Sequence, residues 1–173
     1  MKSIEETIEV AVPVRTAYNQ WTQFKSFPRF MYAVKRVDQV KPNLTRWVIG
    51  LGPVRREFEA EIVEQQPDSS VVWRSLERRP SHWGEVSFRP MGPERAGVTV
   101  RIEGRPGGVA GLLTDASFGV TRRVVRVELG HFKEFIEGVG EESGAWRGAI
   151  RHGHVLPPEP EPPRSRVARW PVG

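Results

Sequence analysis

This chain predicts an α+β fold in which an antiparallel sheet of about seven strands is covered by one long C-terminal helix, and three observations carry that prediction. The first is the stretch from Val109 to Val139, the only segment long enough to span the molecule as a single helix. Its apolar residues Val125, Leu129, Phe132 and Ile136 recur at helical spacing and form one stripe. The second is a strict alternation, with Arg56, Phe58, Ala60 and Ile62 on one face and Glu57, Glu59 and Glu61 on the other. The third is a series of short β-branched and aromatic runs broken by turn residues, which fills most of the chain before the long helix. A helix with one apolar stripe needs a sheet to bury it, and strands with one wet face need a lid.

Taken in order, Ser3 to Val12 reads as a strand that Pro13 stops. Proline suits the first turn of a helix, so a short helix is predicted from Val14 to Trp21, with Val14, Ala17, Tyr18 and Trp21 on one face. A second short helix is expected from Phe27 to Tyr32, with Pro28 marking the boundary between the two. Strands follow at Val34–Val40, Leu44–Ile49, Arg56–Ile62, Val71–Leu76, His82–Phe88 and Val98–Glu103. The turns between them are Pro42-Asn43, Gly50 to Pro53, Pro67 to Ser69 and Pro90 to Pro93. Connections this short pair neighbouring strands into an antiparallel meander. Residues 104–108 are glycine-rich but lack the Lys-Ser/Thr of a phosphate loop, so they read as the turn feeding the long helix.

The expected organisation is one domain over residues 1–147 and a Pro/Arg-rich, disordered tail over 148–173. Within the tail, Arg164 to Trp170 is basic with one aromatic, which makes it a candidate docking peptide for a protein partner. No stretch approaches the length of a membrane span and Met1 to Glu9 lacks a signal-peptide pattern, so a cytoplasmic protein without stable membrane insertion is expected. The absence of cysteine excludes disulfides, thiolate nucleophiles and thiolate metal sites. The net charge of +5 comes from 21 arginines against 5 lysines. The basic pairs are scattered among acids, which describes a solvated surface better than a nucleic-acid site.

Four motifs carry a family resemblance. Tyr18-Asn19-Gln20-Trp21-Thr22-Gln23-Phe24, Phe27-Pro28-Arg29-Phe30-Met31, Val72-Trp73-Arg74-Ser75 and Phe132-Lys133-Glu134-Phe135-Ile136-Glu137 resemble the START-like (SRPBCC) superfamily, in its bacterial polyketide cyclase/dehydrase and coenzyme-Q-binding branch. The resemblance covers residues 3 to 147. It implies the helix-grip (START-like, Bet v 1-like) fold, a curved antiparallel sheet wrapped around the long helix with an elongated apolar cavity between them. It also implies a hydrophobic ligand of the lipid, quinone or polyketide kind, and in some members aromatase/cyclase chemistry on a polyketide chain. The positions at which some aromatase/cyclases carry a tyrosine and an interior arginine fall near Val34 and near Glu64 or Gln65, with Tyr32 two residues from the first. Cyclase chemistry therefore lacks its expected polar residues here.

Candidate cavity residues are the aromatic and apolar supply of the strands and short helices together with one cation: Trp21, Met31, Trp47, Arg56, Phe58, Trp73, Trp83 and Phe118. Arg56 shares the parity of Phe58 and could bond a carboxylate or phenolate, or else pair with a neighbouring glutamate. His82 is the one histidine on a predicted strand, a candidate general base whose alternative is a hydrogen-bonded structural histidine. The catalytic candidates are thus His82, Arg56 and Tyr32. No catalytic triad suggests itself, and His152-Gly153-His154 supplies too few ligands for a closed metal site, so no metal and no cofactor are expected. Binding of a hydrophobic small molecule is the expected function, with an aromatase/cyclase and a surface-and-tail interaction module as alternatives.

Overall fold

The structure, a computed structural model, describes residues 2–76, 82–104 and 118–157. Strand β1 (Lys2–Val10) ends ahead of Pro13, whose extended backbone caps helix α1 (Val14–Trp21). A 3-10 helix follows at Phe24–Arg29, earlier than the predicted Phe27–Tyr32 helix and with Pro28 inside it. Pro28 has no N–H to contribute, but bonds such as Ser26 N–H to Gln23 O and Phe30 N–H to Phe27 O bypass it, so the proline is accommodated where a boundary was expected.

Strands β2 (Val34–Lys41), β3 (Leu44–Leu51), β4 (Val54–Gln66), β5 (Ser70–Ser75), β6 (His82–Gly92) and β7 (Arg95–Gly104) form the meander. With β1 they make an antiparallel sheet in the order β1-β7-β6-β5-β4-β3-β2. The register lays inward residues in rows. Ile62, Trp73, Gly84, Ile102 and Ile4 face one another across five strands, and Thr45, Ala60 and Ser75 form a shorter row beside them. On the outer face Glu59 pairs with Arg46 and Glu61 with Arg74, each at 2.8 Å, so part of the basic surface is spent on exposed cross-strand ion pairs. A bulge between Ile62 and Glu64 shifts the alternation, and Gln65 faces inward as Ile62 does.

Helix α2 (Phe118–Val139) crosses this sheet. The stretch 109–117, which the sequence reading included in the helix, lies outside the described residues. Leu129, Phe132 and Ile136 are buried and Val125 is partly buried against the core. The polar edge of the helix ties it to β1. Arg126 bonds Glu6 at 3.1 Å, Lys133 Nζ donates to the Glu9 carbonyl, and Glu137 accepts the Ala11 N–H.

Beyond α2 the structure departs from the sequence reading. Residues 150–155, assigned there to the tail, form two-residue strands β8 (Ile150–Arg151) and β9 (His154–Val155), which bring the sheet to nine strands. Ile150 pairs with Gln65 of β4 and is fully buried, so one apolar side chain anchors the hairpin. Residues 158–173, including the Arg164 to Trp170 peptide, lie outside the described residues. No helix among the described residues is long and apolar enough to cross a membrane.

Candidate ligand-binding cavity

One helix covers two interiors of different character. Toward its C-terminal end, Phe132 and Ile136 are fully buried in the core cluster that also holds Val10, Val98, Tyr18 and Phe88, and Phe132 meets the ring of Phe30 at 5.8 Å. Toward its N-terminal end, Val124, Val125, Glu128 and Leu129 roof a cavity of about 250 Å³ whose floor is the inner face of β3 to β7. Trp21 divides the two. Its ring stands edge-on to Phe132 at 5.2 Å, to Phe27 at 5.2 Å and to Phe88 at 6.1 Å, and it also lines the cavity.

The floor is built by cross-strand pairing. Trp47 and Phe58 are register partners with parallel rings 6.3 Å apart. Trp73 lies opposite Gly84, and its indole occupies the space a side chain there would need, since a Cβ on residue 84 would fall 2.2 Å from the ring. Glycine at this position lets the indole lie along the sheet, which leaves the space above it open.

Few polar side chains reach the cavity. Thr45 is satisfied, donating to the Ala60 carbonyl at 3.2 Å and accepting from Trp47 Nε1 at 2.8 Å. His82 is 8% exposed; its backbone N–H donates to Ser75 Oγ, its ring stands edge-on to Phe58 at 5.2 Å, and its Nδ1 has no partner. Burial pulls its pKa down to about 4, so it is neutral at neutral pH. Glu128 is 9% exposed and its Oε2 has no partner. Burial raises its pKa, while His131 and the backbone N–H groups of Tyr32 and Ala33 pull the other way. His131 Nδ1 sits 3.3 Å from Glu128 Oε1, an ion-pair distance rather than an aligned hydrogen bond, and Tyr32 packs on its ring at 4.4 Å.

Trp21, Met31, Trp47, Phe58, Trp73 and His82 therefore lie on the cavity wall. Three candidates do not. Trp83 sits on the outer face, because it follows His82 directly and neighbours on a strand point to opposite sides. Arg56 keeps the inward parity of Phe58 but stands one pair further along β4, opposite Ile49, where its Nη1 donates to the Arg55 carbonyl outside the cavity wall. Tyr32 is 69% exposed and touches the site only through its backbone N–H and through His131. The Phe118 side chain lies outside the described residues. Glu128 was not among the sequence candidates, although it falls three residues after Val125 and four before Phe132, an acid set within the apolar stripe.

The closed end is held by polar contacts. Gln65 Nε2 donates to the Tyr18 hydroxyl at 3.0 Å, and Arg147 lies over the Tyr18 ring, bonds both Asp68 oxygens and donates to Asn19 Oδ1. Ser143 N–H and Trp146 N–H donate to Gln20 and Thr22, so the segment after α2 is stitched onto α1.

Known proteins share this architecture. An "Uncharacterized 17.2 kDa protein in melC2-rnhH intergenic region" from Streptomyces lincolnensis is 42% identical over 150 residues, which cover 87% of this chain and 99% of the relative. The aromatase/cyclase Zhui from Streptomyces sp. R1128 superposes with a TM-score of 0.63 at 16% identity, over 81% of this chain and 98% of that one. A START superfamily protein from Mycobacterium smegmatis gives 0.61 at 14% identity, over 79% and 95%. At those identities the two structures speak for the helix-grip fold alone. Residues 10–133 match the family described as "Polyketide cyclase / dehydrase and lipid transport", and the chain belongs to it.

Proposed function

We propose that the protein binds an uncharged, largely apolar small molecule in the space between the sheet and the N-terminal half of α2. The observation that supports this reading is a cavity of about 250 Å³ walled by Trp21, Phe27, Trp47, Phe58 and Trp73. Filled to interior packing density, such a space takes roughly 185 Å³ of ligand volume, on the order of a dozen carbon atoms. That is the scale of a two- or three-ring aromatic or a medium-length chain, and it is small for a full lipid. Native mass spectrometry of protein purified from its own host, with solvent extraction of what co-purifies, tests the proposal. A stoichiometric apolar molecule of this size is expected, and a bulky diacyl lipid would overturn the size assignment.

A second reading, cyclase- or dehydratase-like turnover, is favoured by one specific pair. A neutral imidazole at His82 and a carboxyl group at Glu128 line the same cavity, each with an unpartnered atom. Such a pair could move a proton between two positions of a bound chain. Incubation of the protein with a short polyketide thioester surrogate separates the readings, since a carrier returns the compound unchanged and an enzyme does not.

A further inference from the structure

Glu128 is the one carboxylic acid among the described residues of a largely apolar cavity wall, and this inference rests on the binding reading above. We propose that the cavity selects a ring-bearing ligand that carries a hydroxyl or N–H donor for Glu128 Oε2, and that it rejects the carboxylate of the same skeleton.

The geometry of Glu128 supports an acceptor role. One oxygen, Oε1, is engaged, 3.3 Å from His131 Nδ1, and the backbone N–H groups of Tyr32 and Ala33 also hold the carboxyl group. The other oxygen is buried with nothing to accept, and the residue lines the cavity. A buried acceptor without a partner is costly, and a ligand donor would satisfy it. Of the groups engaged with the carboxyl group, His131 and Tyr32 stand off the cavity wall and Ala33 lines it beside Glu128, and none of them meets Oε2.

The same wall excludes an acid. Among the described lining residues there is no lysine or arginine. Arg56, the cation expected to meet a ligand anion, stands outside the cavity wall and donates to the Arg55 carbonyl. His82 is neutral at neutral pH, so it does not supply a compensating charge. A ligand carboxylate would enter a space whose described lining holds one carboxyl group and no lysine or arginine, an arrangement that burial energetics disfavour. A phenol or alcohol meets the opposite situation, since its donor finds a waiting acceptor and its ring finds tryptophan and phenylalanine. His82 Nδ1 offers a second polar contact on the β6 wall.

Equilibrium dialysis of the full chain at pH 7.5 with 2-naphthol, 2-methoxynaphthalene and 2-naphthoate tests the proposal. These share one ring system and differ in carrying a donor, an ether or an anion. The expected order is 2-naphthol tightest by about tenfold over the ether, the worth of a hydrogen bond to a buried acceptor, with 2-naphthoate weakest. In Glu128→Gln, with folding checked by near-UV circular dichroism, the advantage of 2-naphthol shrinks, 2-naphthoate improves by about tenfold, and the ether is unchanged. Equal binding of all three compounds, or tight binding of 2-naphthoate by the unmodified protein, overturns the donor assignment while leaving the cavity reading intact. Binding of none of them overturns the cavity reading itself, and this inference with it. An unchanged order in Glu128→Gln shows that the selectivity comes from elsewhere and overturns the role given to Glu128.

Discussion

The two halves of the interior beneath α2 are lined by the same kind of residue and yet differ in what they enclose. In the solid half Phe132 and Ile136 share the buried core with Tyr18, Phe88, Val10 and Val98, and none of these lines the cavity. In the hollow half Val125 and Leu129 look across open space at Trp47, Phe58 and Trp73. Polar groups are placed differently in the two. At the closed end the Tyr18 hydroxyl accepts from Gln65, whose own Oε1 is buried without a partner, and Arg147 bonds Asp68 and Asn19, while two residues of the cavity wall, His82 and Glu128, each keep a buried atom without a partner. Two of the buried polar atoms without a partner thus belong to residues of the cavity wall, where a ligand can meet them.

Truncation tests that division most strongly. Phe132→Ala removes a ring enclosed on all sides and is expected to cost about 3–5 kcal/mol, while Leu129→Ala, which already lacks neighbours on its cavity side, should cost about 2–3 kcal/mol. Urea denaturation of the two variants measures both. Equal losses would mean that the cavity is collapsed in solution.

Acid gives the next effect, and it separates the halves by titration. His82 has an ordinary pKa of 6.5 when the chain is unfolded and about 4 when folded. Its neutral form is favoured by folding, so the contribution is fully present above pH 6.5 and is lost as pH falls toward 4. Over that window the loss amounts to about 3 kcal/mol. Glu128, with its raised pKa, works in the opposite sense, adding stability at low pH that fades as pH rises through its folded value. Unfolding curves for the protein and for His82→Gln between these pH limits should diverge at neutral pH and converge in acid. Parallel curves would place His82 in contact with water.

Much of this was legible in the sequence, and what was missed has particular causes. The alternation from Arg56 to Ile62 and the stripe Val125, Leu129, Phe132, Ile136 are periodic, and periodicity survives into structure because each strand or helix face is buried as a unit. Trp83 was misplaced by counting aromatics instead of parity, since His82 and Trp83 cannot both face inward. Glu128 went unnoticed although its spacing alone puts it on the stripe. The hairpin at 150–155 left no pattern, because two-residue strands have no period and Ile150 is held by a partner some 85 residues away in sequence, Gln65. Whether the interior was filled or hollow could not be read at all. Volume depends on where side chains lie, and the space above Trp73 exists because Gly84 has none.

Overpacking sharpens the contrast at smaller cost. Ala17 and Ala60 are both fully buried, one in the solid half and one on the cavity floor. Ala17→Leu must displace neighbours and should cost about 1–3 kcal/mol, whereas Ala60→Leu grows into open space and should cost less than about 1 kcal/mol. The second variant is expected to lose 2-naphthol binding while staying folded, and thermal unfolding beside equilibrium dialysis reads both. If Ala60→Leu were the more damaging, the floor would be close-packed and the cavity misassigned.

The smallest effect asks whether the halves are independent. Arg147 binds Asp68 through two hydrogen bonds, but its side chain is 30% exposed and that of its partner 36%, so solvent discounts the pair. Arg147→Ala should cost about 1 kcal/mol. Arg147 lies over the Tyr18 ring, and neither residue lines the cavity, so ligand affinity should stay the same within measurement. A drop in 2-naphthol affinity without a matching loss of stability would show that the latch after α2 reaches the cavity through α1. Trp21 would then transmit strain between the halves, and the closed end would belong to the binding apparatus.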